Sequence, residues 1–336
     1  MAYFEPALRA GKDALSAQAR QEIQALGGPR KLAFLRALLM TWAVIAAAIT
    51  CAILAKTWWV SLVAILIVGT RQTVLGLLVH EQAHSGFGGR YGDWITNLFC
   101  AYPLMVLTVD GYAPLHLTHH RDFAKDNDPD YRRKSGPEWT YPKKGSALAK
   151  LLLADLLMVN TLRLVRGKKM TGPGIDFTRP HPVPKWVRPV FYLTLAGVLT
   201  ICGGWADFGL YWFLPATTIV PALVRWGAIC EHDYNERSSV LAGTPVIIQT
   251  PLERLLMPNL NFGMHVYHHL HPAVTWSLLP RVHAIYEREG LVAPQGIFRG
   301  SRAFLRVVLS RAPAADVADE ADEADEGSAD YDPHRA

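Results

Sequence analysis

Three short histidine-rich stretches hold the residues of this chain best suited to metal chemistry. Eight of the thirteen histidines lie in them: His80-Glu-Gln-Ala-His84, His116-Leu-Thr-His119-His120 and His265-Val-Tyr-His268-His269. Residues three and four positions apart share one face of a helix, so each stretch directs two or three imidazoles to the same side. Neutral imidazole is the commonest side-chain metal ligand and suits iron, copper and zinc. Three such stretches at the ends of apolar segments indicate a metal site rather than scattered surface or core histidines.

The number and spacing of the cysteines indicate which kinds of metal site are not expected. The chain has four, in apolar segments and without CxxC spacing: Cys51, Cys100, Cys202 and Cys230. This pattern predicts neither a structural zinc site nor a disulfide framework. At least eight imidazoles without thiolates are too many for one ion and are compatible with two iron ions. Two irons could use dioxygen to oxidise an unactivated C–H bond, which no protein side chain can do alone.

The apolar segments that precede the histidines are long enough to cross a membrane. Hydrophobic residues make up 50% of the chain, and about 20 of them in a helix cross the hydrocarbon core. Four spans are predicted, at residues 32–55, 57–76, 189–203 and 208–230, with Pro215 and Pro221 bending the fourth. Residues 95–109 are too short to span and predict an interfacial or re-entrant segment. The predicted fold class is an all-α integral membrane protein, with four transmembrane helices in two hairpins and a cytoplasmic histidine-rich helical cap.

The charge distribution predicts which side of the membrane each segment occupies. The chain carries +5, but residues 312–336 hold nine acids and one arginine, so the remainder carries +13. Residues 121–188 are rich in lysine and arginine, and by the positive-inside rule they are cytoplasmic. The metal site and both termini are then predicted on the cytoplasmic side. A nucleic-acid partner is not expected, because no nucleic-acid-binding motif accompanies the positive charge.

Composition also divides the chain into three parts. Residues 1–31 form a predicted cytoplasmic N-terminal arm, either partly disordered or with an amphipathic helix from Ser16 to Leu26. Residues 32–311 form the membrane domain that holds the metal site. Residues 312–336 have too little apolar surface to fold and predict a disordered acidic tail. No signal peptide is expected before the first span, because residues 1–30 are polar.

His232 lies outside the three stretches and follows the fourth predicted span directly. His80 and His84 follow the second span in the same way, so two spans place histidines at one depth and on one side. The alternative interpretation is an interfacial histidine that is hydrogen-bonded to Glu231 or to a backbone carbonyl.

The order HxxxH, HxxHH, HxxHH between two predicted hairpins resembles the membrane fatty acid desaturase and hydroxylase superfamily, over residues 32–290. The stretch from Asn259 through Pro280 is similar to the family's last histidine box, and Asp126-Asn-Asp128-Pro129 is similar to the segment after its second box. Tyr267 departs from the pattern, because the family often has a glutamate at that position.

This resemblance implies two iron ions held by eight or nine histidines. Carried over by position, the ligands are His80, His84, His116, His119, His120, His265, His268 and His269, with the ninth, His232, from the region after the fourth span. Asn261 is a candidate to orient a ligand or a bound water, or else a turn residue. Glu81, Glu231 and Asp110 neighbour the implied ligands and could hydrogen-bond them, whereas His181, His283 and His334 are not expected to be ligands.

The sequence and the resemblance together predict an enzyme. It would use dioxygen and two external electrons to desaturate or hydroxylate an aliphatic chain, and a fatty acyl lipid is the favoured substrate. No haem, flavin or iron–sulfur motif is visible, so a separate ferredoxin-like or cytochrome donor with its reductase is expected to dock on the basic cap. A carotenoid or a small amphiphile is the alternative substrate. A membrane metal-binding or transport protein is the alternative of a different class, but a transporter would place its ligands near the bilayer midplane.

Overall fold

The computed structural model describes residues 3–106, 108–166 and 182–310. The acidic tail, His181 and His334 lie outside these ranges. Within them the chain is mostly helical, with one pair of short strands.

The N-terminal residues form a helix that belongs to the folded body. Helix α1 (Ala17–Leu26) begins after Ser16, whose hydroxyl accepts a hydrogen bond from the Ala19 N–H, and it ends before Gly27. This confirms the amphipathic helix predicted there. Its buried residues Ala19 and Ile23 pack in a hydrophobic cluster with Tyr267, which lies between histidines of the third box. The helix therefore supports the histidine-rich region from behind.

Two long antiparallel helices form the first hairpin. Helix α2 (Lys31–Ala55) and helix α3 (Trp58–Ala83) have mean hydropathies of 2.3 and 2.0 over their most apolar stretches. At 1.5 Å per residue each is about 38 Å long, more than the roughly 30 Å of a hydrocarbon core. They are joined at Lys56, which has a left-handed φ of 52°. Helix α3 continues past the predicted end of the second span near residue 76 and includes His80.

A bent helical segment follows the first hairpin. Helix α4 (Gly89–Thr96), a π-helical turn (Asn97–Ala101) and helix α5 (Tyr102–Leu104) lead to helix α6 (Val109–Arg121), with a bend of 94° between the two halves. The Asn97 side chain holds the corner, since it accepts from the Val109 N–H at 2.8 Å and donates to Asp110 at 3.2 Å. A bend of this size is typical of a broken span or a re-entrant segment, in agreement with the interpretation from sequence.

Three shorter helices occupy the basic region: α7 (Pro129–Lys134), α8 (Gly145–Leu156) and α9 (Val159–Arg166). Helices α8 and α9 together cover the amphipathic stretch around residues 148–165. The Asp155 carboxylate of α8 is buried and accepts a hydrogen bond from the Arg225 guanidinium at 3.1 Å. This ion pair attaches the basic region to the last long apolar segment.

The last apolar segment is a broken helix. Helix α10 (Val187–Ile201) is followed by α11 (Trp205–Phe208), a π-helical turn (Gly209–Phe213), α12 (Leu214–Thr217) and α13 (Ile219–Glu231). Residues from Trp205 to Glu231 together are long and apolar enough to form one candidate membrane span of 27 residues. Helix α10 has only 15 residues, about 22 Å at 1.5 Å per residue, which is shorter than the roughly 30 Å core.

The described part of the chain therefore has three helices long and apolar enough to cross a membrane, or four if the bent pair counts as one span. The chain is an integral membrane protein. Large apolar side chains project outward from these helices, with exposures of 75% for Leu54, 78% for Trp58 and 53% for Val224. The predicted arrangement of four spans in two hairpins, and its sidedness, remain predictions.

The break in the last span has a local cause. Pro221 has no N–H to donate to the carbonyl four residues earlier, that of Thr217, and Thr218 leaves helical geometry with φ −120° and ψ −65°. The Thr161 hydroxyl of α9 donates to the freed Thr217 carbonyl at 2.9 Å. A neighbouring side chain thus satisfies the backbone group that the proline leaves unpaired.

The C-terminal third surrounds the third histidine box. It contains strand β1 (Val246–Ile248), helix α14 (Pro251–Leu256), helix α15 (His265–Leu270), helix α16 (Leu279–Arg288), strand β2 (Ile297–Arg299) and helix α17 (Ser301–Val308). The strands pair in parallel, with Val246 opposite Ile297.

Candidate metal centre

The ends of α3 and α6 bring the first two boxes together. His80 lies in the last turn of α3 and His84 immediately follows that helix. His116, three and four residues before His119 and His120 on α6, has its Nε2 atom 2.8 Å from His84 Nε2 and 3.0 Å from His120 Nε2. The helical spacing accounts for the approach of His120, whereas that of His84 depends on the packing of α3 against α6.

The third box is held in place by a close backbone contact. A 3₁₀ turn (Phe262–Met264) precedes α15, and a Cβ atom at Gly263 would lie 2.0 Å from the Ile247 carbonyl oxygen of β1. Only glycine fits there. The contact sets where α15 begins, and with it the direction of His265, His268 and His269.

His232 contacts histidines of both the second and the third boxes. It lies immediately after α13 and is 2% exposed. Its Nε2 atom is 3.2 Å from His119 Nε2 and 3.1 Å from His269 Nε2. The structure thus places His232 among the box histidines and not at an interface beside Glu231, whose carboxylate instead accepts from Lys134 at 3.1 Å.

All nine predicted histidines fall into two groups. Within each group the nearest ring nitrogens lie within 4.8 Å of one another. The first group is His80, His84, His116, His120 and His268, and the second is His119, His232, His265 and His269. Each HxxHH box contributes to both groups, because His119 and His120 separate, as do His268 and His269.

Several ring nitrogens of the first group lack the partners that buried polar atoms normally have. Both ring nitrogens of His80 and the Nε2 atom of His268 are buried without a hydrogen-bond partner in the structure. Unsatisfied buried polar groups are rare and call for an explanation. Two nitrogens bound to one ion at about 2.1 Å and a right angle are about 3.0 Å apart, close to the Nε2–Nε2 separations of 2.8–3.2 Å here. The residues therefore fit two metal ions.

The protonation state of the imidazoles also suits metal binding. Burial, followed by the neighbouring imidazoles, holds the pKa of His265, His268 and His269 well below the usual value. Burial, with His119 next in effect, does the same to the pKa of His232. These rings are neutral at physiological pH, and a neutral imidazole has the lone pair that a metal ligand requires.

Three hydrogen bonds orient the imidazoles from outside the groups. Both carboxylate oxygens of the fully buried Asp128 lie 3.0 Å from His119 Nδ1. His119 Nδ1 donates, so its Nε2 atom is left as the acceptor that faces the second group. Thr244 contacts His232 Nδ1 at 2.9 Å, and the Tyr112 hydroxyl contacts His116 Nδ1 at 3.3 Å.

Sequence reasoning did not assign these orienting roles. Asp128 carried a signal, because it precedes Pro129 in an aspartate-proline pair typical of a helix N-terminus, and it does cap α7. Nothing in the sequence indicated a role for Thr244, because it lies 12 residues from His232 in an irregular loop.

The residues that the sequence singled out for outer roles make other contacts. Asn261 has a left-handed φ of 56° and donates to the Trp276 carbonyl at 3.1 Å, so it is placed as a turn residue. Glu81 is 3.8 Å from His80 Nδ1, too far for a hydrogen bond, and accepts from the Trp276 N–H at 3.3 Å.

Two further histidines of this region lie outside both groups. His271 contacts Tyr286, and His283 contacts Tyr267. Tyr267, where the family often has glutamate, is buried with its hydroxyl 2.6 Å from His283.

Apolar helices that cross a membrane and end in two clusters of buried imidazoles define a class: integral membrane proteins with a histidine-built metal centre. The sequence pattern of the fatty acid desaturase family matches residues 56–299. The chain belongs to this family and is an oxidoreductase of the desaturase and hydroxylase type. No curated protein matches the chain.

Proposed function

We propose that the chain is an oxygen-dependent di-iron oxidase that desaturates, or hydroxylates, the aliphatic chain of a fatty acyl lipid. The observation that carries the proposal is the division of nine buried histidines into a group of five and a group of four. The family is known for iron, and imidazole sets without thiolate suit iron.

Each group would hold one iron ion. The group of five would ligate the first ion through His80, His84, His116, His120 and His268, and the group of four the second through His119, His232, His265 and His269. The two ions, when bound, supply the reduction of dioxygen that an unactivated C–H bond requires.

The protein's own residues prepare the site for that chemistry. Asp128 and Thr244 fix the ring orientation of His119 and His232, which keeps the lone pairs directed at the metal. Phe262 lies between the two groups, with its ring centroid 4.8 Å from that of His80 and 4.5 Å from that of His265. An apolar ring there excludes water and protects the reacting carbon from side reactions.

A separate electron donor belongs to the proposal, since the described residues have no haem or flavin motif. One structural feature supports a place at which electrons enter the metal centre. Phe123 lines a surface pocket of about 540 Å³ with three cations, Arg121, Lys125 and Arg237, and one acid, Asp126. The lining is net positive, although the cations pair with Asp122 and Asp126. The ring centroid of Phe123 is 4.8 Å from that of His232. An acidic ferredoxin-like or cytochrome donor, with its reductase, would dock on this cationic surface and lie one aromatic ring from the second group. In this proposal the surface, the metal centre and both termini face the cytoplasm.

The test is metal analysis combined with lipid mass spectrometry. We expect two iron ions per chain in the purified protein. Cells that contain the protein should hold acyl lipids lighter by two hydrogens, or heavier by one oxygen, than cells with a His116→Ala variant. One tightly bound zinc, without iron-dependent turnover under reducing conditions, would count against the proposal. An altered carotenoid and unaltered acyl lipids would point to the alternative substrate.

A further inference from the structure

A groove of about 870 Å³ runs along the first hairpin next to the metal centre. It lies between the first half of α2, residues Arg71 and Val74 of α3, and the chain from Pro258 to Arg281. Its volume is within the range of about 300–1,000 Å³ that ligand sites occupy.

The groove is open to the region that lipid tails occupy. Leu32 and Met40 form part of its lining and are 82% and 59% exposed on a membrane-spanning helix. Ala33, Ala37 and Val44 continue the same apolar wall along α2. An occupant with a hydrocarbon chain can therefore enter from the bilayer.

The charged residues of the groove are all positive. Five cations line it, namely Arg30, Lys31, Arg36, Arg71 and Arg281, and no carboxylate does. Within the described ranges none of the five takes part in an ion pair. The guanidinium groups of Arg30 and Arg71 donate to backbone carbonyls, those of Leu26 at 3.1 Å and Leu255 at 2.8 Å, and these neutral partners leave the positive charge uncompensated.

Only one layer of residues separates the groove from the histidines. Leu260, in the groove wall, precedes the turn that carries Phe262, whose ring packs on His80 and His265. Trp276, also in the wall, donates its N–H to Glu81, the neighbour of His80. A chain lying in the groove approaches the metal centre at Phe262.

We propose that this groove binds an anionic membrane phospholipid, with the phosphate among the five cations and an acyl chain along the apolar wall. Arginine binds phosphate through two parallel hydrogen bonds. A zwitterionic lipid fits less well, because its ammonium group would lie beside uncompensated positive charge. The phospholipid is then the acyl substrate itself, and this last step rests on the proposed function.

The experiment measures lipid binding by the iron-loaded protein in nanodiscs, with phosphatidylglycerol, phosphatidylcholine and oleate as probes. Phosphatidylglycerol should bind most tightly. The double variant R36Q/R281Q should bind it about tenfold more weakly, since hydrogen bonds to charged groups are lost. The matched control R254Q/R302Q removes two exposed cations outside the groove and should bind it as the native chain does.

Equal binding of the two phospholipids, tighter binding of oleate, or an unchanged affinity in R36Q/R281Q would overturn the inference. Iron content per chain, measured on the same samples, shows that each variant is folded and loaded. The mass of the bound phosphatidylglycerol after addition of reductant and dioxygen reports separately on the proposed function, because binding without conversion leaves the groove occupied and removes only the substrate role.

Discussion

Asp128 shows how a single side chain can serve both the fold and the metal centre. Besides contacting His119, its carboxylate accepts from the backbone N–H groups of Ala124 and Asp130. These bonds hold the carboxylate in place, so that it can hold the imidazole in turn. Partners of this kind behind a ligand fix its tautomer and raise its basicity.

We expect Asp128→Asn to lower metal affinity about 10–100-fold, the usual effect of losing such a partner. The carboxamide keeps the shape but loses the negative charge that stabilises a metal-bound His119. Metal competition with a chelator would measure the change. Asp126→Asn is the control, because that side chain is 94% exposed and pairs with Arg237. Equal affinities in the two variants would show that the Asp128 contact is structural alone.

His232→Ala tests the histidine that no spacing rule includes. If His232 is a ligand, the variant should contain less iron than the native chain and lose turnover while remaining folded. His271→Ala is the matched control, since His271 contacts Tyr286 and lies outside both groups. Iron content by mass spectrometry and thermal unfolding in detergent would separate the outcomes. Native iron content in His232→Ala would leave the second group with three histidines and remove this residue from the proposal.

The residue scale also shows where spacing stops being informative. Helical spacing predicts that His116, His119 and His120 face one side, and they do. It does not predict that His119 and His120 belong to different groups, because that depends on which histidines the other helices bring within reach. Thr244 could not be predicted at all, since its contact with His232 depends on the path of a loop.

At the scale of elements, the hairpin of α2 and α3 followed directly from apolar length, whereas the continuation of α3 through His80 lies beyond its apolar part. For α10, apolar length predicted a span over residues 189–203, and a helix does form there, but its 15 residues are too few to cross the core alone. The docking of α1 was also beyond prediction. Amphipathicity indicated a helix, but it could not say that Ile23 would pack in the same cluster as Tyr267 of the third box.

The contact between α3 and α13 depends on one glycine. A Cβ atom at Gly69 would lie 2.5 Å from the Ile219 side chain, whereas one at Gly76, two turns further along the same helix, meets nothing within 4 Å. We expect Gly69→Ala to destabilise the protein by about 1–3 kcal/mol through overpacking. Gly76→Ala should be neutral or stabilising by up to about 1 kcal/mol. Thermal unfolding in one detergent would compare the two, and equal melting temperatures would mean that α13 shifts at little cost.

At the scale of the whole molecule, the metal centre is where segments distant in sequence meet. Its histidines come from α3, α6, the end of α13 and α15, so no contiguous part of the chain contains a complete group. The apolar spans fix the depth of the positions on α3 and α13, and the close contact of Gly263 with β1 fixes the start of α15. Sequence could therefore predict which residues meet, but not the geometry in which they meet.

The alternation of the two groups along α6 and α15 has a consequence for how metal is taken up. His119 and His120 are covalently adjacent, and so are His268 and His269, so the first ion orders the helical turns that supply ligands to the second. By thermodynamic linkage each ion then raises the affinity for the other by the same factor.

Titration of the metal-free protein should accordingly show positive cooperativity, with native mass spectra dominated by chains holding no ion or two. His232→Ala, although it removes a ligand of one group only, should weaken uptake at both. A stable population with one ion, in the native chain or in the variant, would mean that the two sites fill independently.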